Sequence, residues 1–207
     1  MIEVRAIRPE EGDVLREVRL AALRNAPGAF LETEEEVAAD PTEVWVTRAA
    51  ASTGDGDQLI MLALADGRPV GMAGIAREIG QRRRHRATLW GVWLDPARRG
   101  RGVGRQLVVA ALDWAREREV RAVYLEVVEN EDPSWSLYGR LGFVRREVDP
   151  FGAHVDGHDI LVLIEIEKFF SVVPPSWVPA VFSGDLNAAL ERRERLQVNL
   201  VSSTGVG

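Results

Sequence analysis

Hydrophobic and polar positions along this chain change period repeatedly, and each change marks an element. Ile2, Val4 and Ala6 alternate with polar neighbours, which predicts a strand over 2–8. Val14, Leu15, Val18, Ala21 and Ala22, with Arg19 at the same spacing, predict an amphipathic helix over 10–25. Asn25-Ala26-Pro27-Gly28 ends it. A second helix is expected over 41–51, burying Val44 and Trp45. The apolar runs 58–65 and 69–77 flank Asp66-Gly67-Arg68 and predict a β-hairpin, because Asp-Gly favours the turn that joins such strands. Gly71 and Gly74 in the second run point to a bulge or a close backbone approach.

A strand over 88–94 leads into a glycine-rich turn. The helix beyond it keeps Val103, Leu107, Ala110, Ala111 and Trp114 on one face. Over 122–128, Val123, Leu125 and Val127 alternate with Tyr124, Glu126 and Val128. Strand, helix and strand form one βαβ unit, so the two strands should lie parallel or splayed. Asp132-Pro133 opens a short helix over 133–141 and Gly142 closes it. Segments 143–148 and 157–167 are expected as an antiparallel pair, with Ile160, Val162, Ile164 and Ile166 facing inward. The pattern breaks after 168. Pro174, Pro175 and Pro179 stand among Trp177 and several valines, which excludes a helix or central strand there. A helix follows over 186–196. The expected organisation is one domain over 1–168 and a C-terminal extension over 169–207. The extension's apolar stretch needs a surface to cover, so a homodimer built through it is one expectation.

Composition narrows the classes. The chain has 207 residues, 46% hydrophobic and 28% charged, with a net charge of −6. That balance argues against nucleic acid as a partner, since phosphate contacts need a basic face, and it suits a cationic substrate such as an amine. There is no cysteine, so disulfides and thiolate metal sites are excluded and a cytoplasmic setting is expected. Met1-Ile2-Glu3-Val4-Arg5 has no apolar signal-peptide core, and no run is long enough to span a bilayer, so no membrane partner is expected. His154 and His158 sit in a strand-like pattern far from His85, and no metal is expected. The run Arg82-Arg83-Arg84-His85-Arg86 is expected as a solvated loop.

The chemistry concentrates in Asp95-Pro96-Ala97-Arg98-Arg99-Gly100-Arg101-Gly102-Val103-Gly104-Arg105. Proline ends the strand, and glycines allow tight geometry and close approach of a ligand to the backbone. Amides at a helix start, where the macrodipole is positive, make a site for a phosphate or pyrophosphate. A Walker loop would need Gly-Lys-Ser/Thr, but Arg105 and Gln106 follow Gly104. A dinucleotide fingerprint fails too, because its last glycine would fall on Arg105 or Leu107.

Arg99-x-x-Gly102-x-Gly104 does resemble the acetyl-CoA signature of the GNAT acetyltransferase superfamily, Q/R-x-x-G-x-G/A. Leu137-Tyr138-Gly139-Arg140-Leu141-Gly142-Phe143 resembles its L-Y-x-x-x-G-F element, in the right order and with a strand between. Arg19-Leu20-Ala21-Ala22-Leu23 and Ala26-Pro27-Gly28-Ala29-Phe30 resemble the first helix and loop of bacterial members. The likeness spans about 2–168. It implies an α/β (α+β) fold with a mixed, centrally splayed β-sheet flanked by helices. It also implies acetyl-CoA as co-substrate, held by Arg99, Gly100, Arg101, Gly102, Val103, Gly104 and Arg105, with main-chain groups of Val92, Trp93 and Leu94 pairing with the pantetheine arm. Tyr138 would contact the co-substrate and act as general acid. The family's usual asparagine position holds Glu131, and Asn130 one place earlier takes the role by a one-residue shift.

The general base is not chosen by the sequence: Glu126, Glu129, Glu131 and the Glu32–Glu36 group all qualify, and Glu126 is carried forward. The resemblance thus implies acetyl transfer to a primary amine, either a small molecule or a peptide N-terminus. A non-catalytic CoA-binding module, or an interaction protein acting through its tail, are the rival readings.

Overall fold

The computed structural model describes residues 1–128, 134–149, 153–155, 158–160 and 163–169, with side chains over 1–127 and 136–144. In chain order the elements are β1 (Ile2–Ala6), α1 (Gly12–Asn25), α2 (Glu34–Ala39), α3 (Thr42–Ala51), β2 (Gln58–Ala65), β3 (Arg68–Arg77) and β4 (Arg86–Leu94). Then follow α4 (Val103–Glu117), β5 (Ala122–Val128), α5 (Ser134–Arg140), β6 (Val144–Asp149), β7 (Ala153–Val155), β8 (His158–Ile160) and β9 (Leu163–Phe169). The extension beyond Phe169, and Asn130, Glu129 and Glu131, lie outside the described residues.

A seven-stranded sheet runs in the order β1-β2-β3-β4-β5-β9-β6. The β2–β3 hairpin turns on Asp66 (φ 50°) and Gly67 (φ 80°), the paired left-handed residues of a two-residue turn that matches strand twist. β2 is apolar from Leu59 to Ala65 because helices cover both its faces. Leu59, Met61, Ala63 and Ala65 pack with Leu107, Ala111 and Trp114 of α4. Ile60, Leu62 and Leu64 pack with Leu15, Val18 and Leu23 of α1 and Trp45 of α3. Val44, expected to be buried, is only half-buried, and Ala49 joins Trp45 on the inner face of α3.

The last strands differ from expectation. The segment expected as one strand over 157–167 is two, β8 and β9. β7 and β8 form a separate ladder, while β9 inserts between β5 and β6, antiparallel to both. Short-range alternation cannot reveal this, because pairing partners are chosen by the whole sheet. The inward alternation expected of Ile160, Val162, Ile164 and Ile166 falls on side chains outside the described set.

The centre of the sheet is where it opens. β4 and β5 are parallel, but pair only at Arg86↔Ala122, Ala87↔Val123 and Thr88↔Tyr124. Beyond that point β4 stays with β3 as far as Leu94 and β5 stays with β9 as far as Val128. The sheet therefore divides into two wings.

Candidate active site

A bulge on β4 lies beside the opening. Between Met72↔Trp93 and Gly74↔Trp90, β4 advances one residue more than β3. Gly91 sits in this extra step with φ 60°, a conformation glycine adopts without the Cβ penalty. The bulge reverses side-chain parity. Leu89 packs on the α4 face and Trp90 on the α1 face. Past the bulge Val92 returns to the α4 face, Trp93 to the α1 face and Leu94 to the α4 face. Trp90 and Trp93, three positions apart, thus share one face. Gly74 on β3 makes room for the first of them: a Cβ there would fall 2.5 Å from Trp90 Cζ2.

Between the wings, on the α1 face, lies a cleft of about 510 Å³. β4 lines it with Thr88, Trp90 and Gly91, β5 with Glu126, and α1 with Arg19. Phe30, Leu31 and Trp45 supply apolar wall. Arg19 is buried, at 8% exposure, and its Nε and Nη2 donate to Glu32 Oε2 at 3.1 and 2.7 Å. Its guanidinium lies over the Phe30 ring, 4.6 Å from the centroid.

The acidic segment 30–40 resolves into separate roles. Glu32 pairs with Arg19, Glu34 with Arg24, and Asp40 with Arg48. Glu36 and Thr33 form a capping box at the start of α2, each satisfying the other's orphan amide. Of these carboxylates only Glu32 reaches the cleft. The basic run before β4 is likewise tied down, Arg83 and Arg86 by Glu78 and Arg84 by Asp57.

At the far end of β4 the chain turns into α4. Asp95 Oδ1 accepts from the Ala97 amide at 2.8 Å, and Arg99 Nε donates to the Leu94 carbonyl at 3.1 Å, which pins the turn to the strand. Gly100 and Gly102 have φ 75° and 79°, with nothing within 4 Å of where a Cβ would stand. Gly102 is the N-cap of α4 and provides no side-chain cap, so the first-turn amides keep their donors for a ligand. Arg101 and Arg105 are exposed beside it. Gly104 is already helical, as the placing of Val103 on the helix implies, and a Cβ there would stand 3.8 Å from Leu137 Cδ2. Leu137 of α5 thus lies beside the start of α4. Tyr138 on α5 is 4% exposed, its ring edge-on to Phe143 with centroids 5.7 Å apart.

Of the described residues singled out from sequence, those proposed for catalysis stand on two faces of the sheet. Tyr138 packs on the α4 face and Glu126 lines the cleft on the α1 face. Val92, Trp93 and Leu94 lie on the stretch of β4 no longer paired with β5. Sequence reasoning missed Gly91, Trp90 and Arg19 as site residues. A glycine between two tryptophans in a strand is a bulge signal; Arg19 stood out only by its helical spacing and its place in the stretch that resembles the family's first helix.

These features can be set against known proteins. The model of the Acetyltransferase (GNAT) family matches residues 21–143, more than half of the chain. The chain belongs to the GNAT acetyltransferase family. Among GNAT relatives, N-alpha-acetyltransferase RimI of Mycobacterium tuberculosis is 40% identical over 83 residues, covering 40% of this chain and 50% of its own. Streptothricin acetyltransferase of Streptomyces lavendulae is 34% identical over 90 residues, covering 43% of this chain and 46% of its own. The chain spans about half the length of these curated relatives. In fold it is similar to YncA of Salmonella typhimurium, whose structure holds acetyl-CoA, at TM-score 0.70 and 18% identity over 85% of this chain and 99% of that one. No helix among the described residues is long and apolar enough to cross a membrane.

Proposed function

We propose that this GNAT chain transfers an acetyl group from acetyl-CoA to a primary amine by direct attack in a ternary complex. The observation that carries the reading is the central splay, with an uncapped helix start at the end of β4 and a cleft open on the opposite face of the sheet. The residues present fit the co-substrate. Amides of Val103, Gly104 and Arg105 would receive the diphosphate, with Arg99, Gly100, Arg101 and Gly102 shaping the turn. Main-chain groups of Val92, Trp93 and Leu94 would hold the pantetheine arm as an added strand, and Asn130 is proposed as a further contact to it. When bound, acetyl-CoA supplies the activated acetyl thioester.

The amine enters from the cleft on the α1 face. Its nitrogen bonds to the acetyl carbon as the carbon–sulfur bond breaks. The ammonium proton must leave, and Glu126, exposed in the cleft, is the proposed base, acting directly or through water. The departing sulfur needs a proton, which Tyr138 is proposed to give; a phenol, ordinarily near pKa 10, can protonate a thiolate as it departs. The absence of cysteine rules out an acetyl-cysteine intermediate. The named relatives differ in acceptor, an α-amine in one and streptothricin in the other, so they do not select one for this chain.

The test is a panel of amines scored for CoA release, with calorimetric acetyl-CoA binding alongside. Tyr138→Phe should cut turnover by about 10²-fold or more, the usual size of an acid–base contribution, and leave acetyl-CoA affinity unchanged. No CoA release with any amine, or no acetyl-CoA binding, overturns the reading.

A further inference from the structure

Arg19 holds the cleft's most informative feature. Its Nε and Nη2 are taken by Glu32, but its Nη1 is buried and has no hydrogen-bond partner among the described residues. A Cβ built on Gly91 would stand 3.5 Å from that nitrogen, so Nη1 lies at the β4 bulge, where the sheet opens. Trp45, 2% exposed and on the wall of the same cleft, has a buried Nε1 that is also unpartnered. Buried donors are ordinarily satisfied, and a charged one most of all. Both nitrogens donate and neither accepts. A group that satisfies them must accept hydrogen bonds, and a carbonyl or carboxylate oxygen carried next to the reacting amine would do so for Arg19 Nη1 at the bulge.

Charge narrows the ligand further. Arg19 and Arg48 face Glu32 and Glu126 around the cleft, so a polycation would bring like charge against a buried guanidinium. An amine whose neighbouring carbon carries a carbonyl or carboxylate sets that oxygen, and not a second cation, against the guanidinium. Phe30, Leu31, Trp45 and Trp90 leave an apolar wall for a side chain. We propose that the acceptor is an α-amino acid unit, free or at a peptide N-terminus, whose carboxylate or carbonyl oxygen accepts from Arg19 Nη1. This rests on the acetyltransferase reading above.

The test compares three probes sharing one ring and one amine: phenylalanine, phenylalaninamide and 2-phenylethylamine, the last without the oxygen. Wild-type enzyme should prefer at least one oxygen-bearing probe over 2-phenylethylamine by at least about tenfold in kcat/KM. Phenylalanine favoured over its amide assigns a free amino acid; the reverse assigns a peptide N-terminus. Arg19→Met should abolish the preference, losing about 10- to 100-fold on the oxygen-bearing probe and under threefold on 2-phenylethylamine. Unchanged acetyl-CoA affinity shows that the variant is folded; should it not fold, Arg19→Lys, which keeps the charge but not the planar fork, should show a smaller loss on the same probe.

Binding of N-acetylphenylalaninamide and N-acetylphenylalanine with CoA present, measured by calorimetry, is independent of turnover. Equal loss on all three amines, a wild-type preference for 2-phenylethylamine, or binding indifferent to Arg19 overturns this proposal while leaving acetyl transfer standing. Arg19-dependent binding without turnover of any amine overturns acetyl transfer instead.

Discussion

Gly102 offers a clean perturbation of the glycine turn, because its conformation and its surroundings make separate predictions. Its φ of 79° is left-handed, and no atom of the described residues lies within 4 Å of where a Cβ would stand. Gly102→Ala therefore meets no steric clash in the protein. Its whole folding cost is backbone strain, about 1–2 kcal/mol for an L-residue in this region, or a fall in Tm of about 2–8 °C for a chain of this size. In the complex the added methyl projects from the turn that would clasp the diphosphate, and acetyl-CoA affinity should fall by at least about tenfold, the loss of one good charge-assisted hydrogen bond. Gly102→Asn tolerates the left-handed conformation better and should recover most of the stability but none of the affinity. Gly104→Ala is the contrast. It adds the same atoms two residues later, in helical conformation and in ordinary contact with Leu137. It should gain up to about 1 kcal/mol from helix propensity and keep affinity within about threefold, as a signature that admits alanine there implies. Thermal melts and calorimetric titration of acetyl-CoA read both quantities. Full affinity in Gly102→Ala, or identical behaviour of the Gly102 and Gly104 variants, would refute the assignment.

Other expectations follow from the same geometry. Gly74→Ala would drive a Cβ into the Trp90 indole; it should cost about 1–3 kcal/mol from overpacking, alter tryptophan emission and raise acceptor KM with acetyl-CoA affinity unchanged, whereas an unaltered emission spectrum would mean that Trp90 is not where the structure puts it. Glu11 joins β1 to the start of α1, accepting from Arg5 Nη1 and Nη2 at 2.8 and 2.5 Å and from the Arg8 amide at 2.8 Å. The Arg5 hydrogen bonds and the Arg8 amide hold its carboxyl below the ordinary 4.5 against the opposing effect of burial, so its contribution is full above pH 4.5 and is lost as pH falls through the lowered folded-state value. Glu11→Gln should cost about 1–3 kcal/mol at neutral pH and progressively less below pH 4.5, read as urea midpoints against pH; a gap independent of pH would contradict the pairing.

How much of this was legible in sequence depends on the range of the signal. The hairpin at Asp66-Gly67, the β4–turn–α4 unit and the α5 element carry local chemistry, and each forms where its residues predict. The glycine turn was legible as a unit and so was the helix from Val103, but that the left-handed conformation falls on Gly100 and Gly102 was not. The bulge at Gly91 went unread, although a glycine within a strand is its local signal, and its consequence, Trp90 and Trp93 on one face, depends on pairing with β3. The cleft had no local signature. Arg19, Phe30, Trp45, Trp90 and Glu126 meet only because α1, α3, β4 and β5 pack around the splay. Which of the carboxylates in 30–40 would serve the cleft was equally a tertiary question, settled by where Arg19, Arg24 and Arg48 stand.

The central claim is that the first-turn amides of α4 grip the diphosphate of acetyl-CoA. Backbone ¹H–¹⁵N spectra of the full chain, recorded during titration with CoA, address it at the atoms concerned. The amide protons of Val103, Gly104 and Arg105 should move downfield in step with saturation, as N–H groups do on meeting a charged oxygen. Saturable binding that leaves these three resonances where they began would contradict the account.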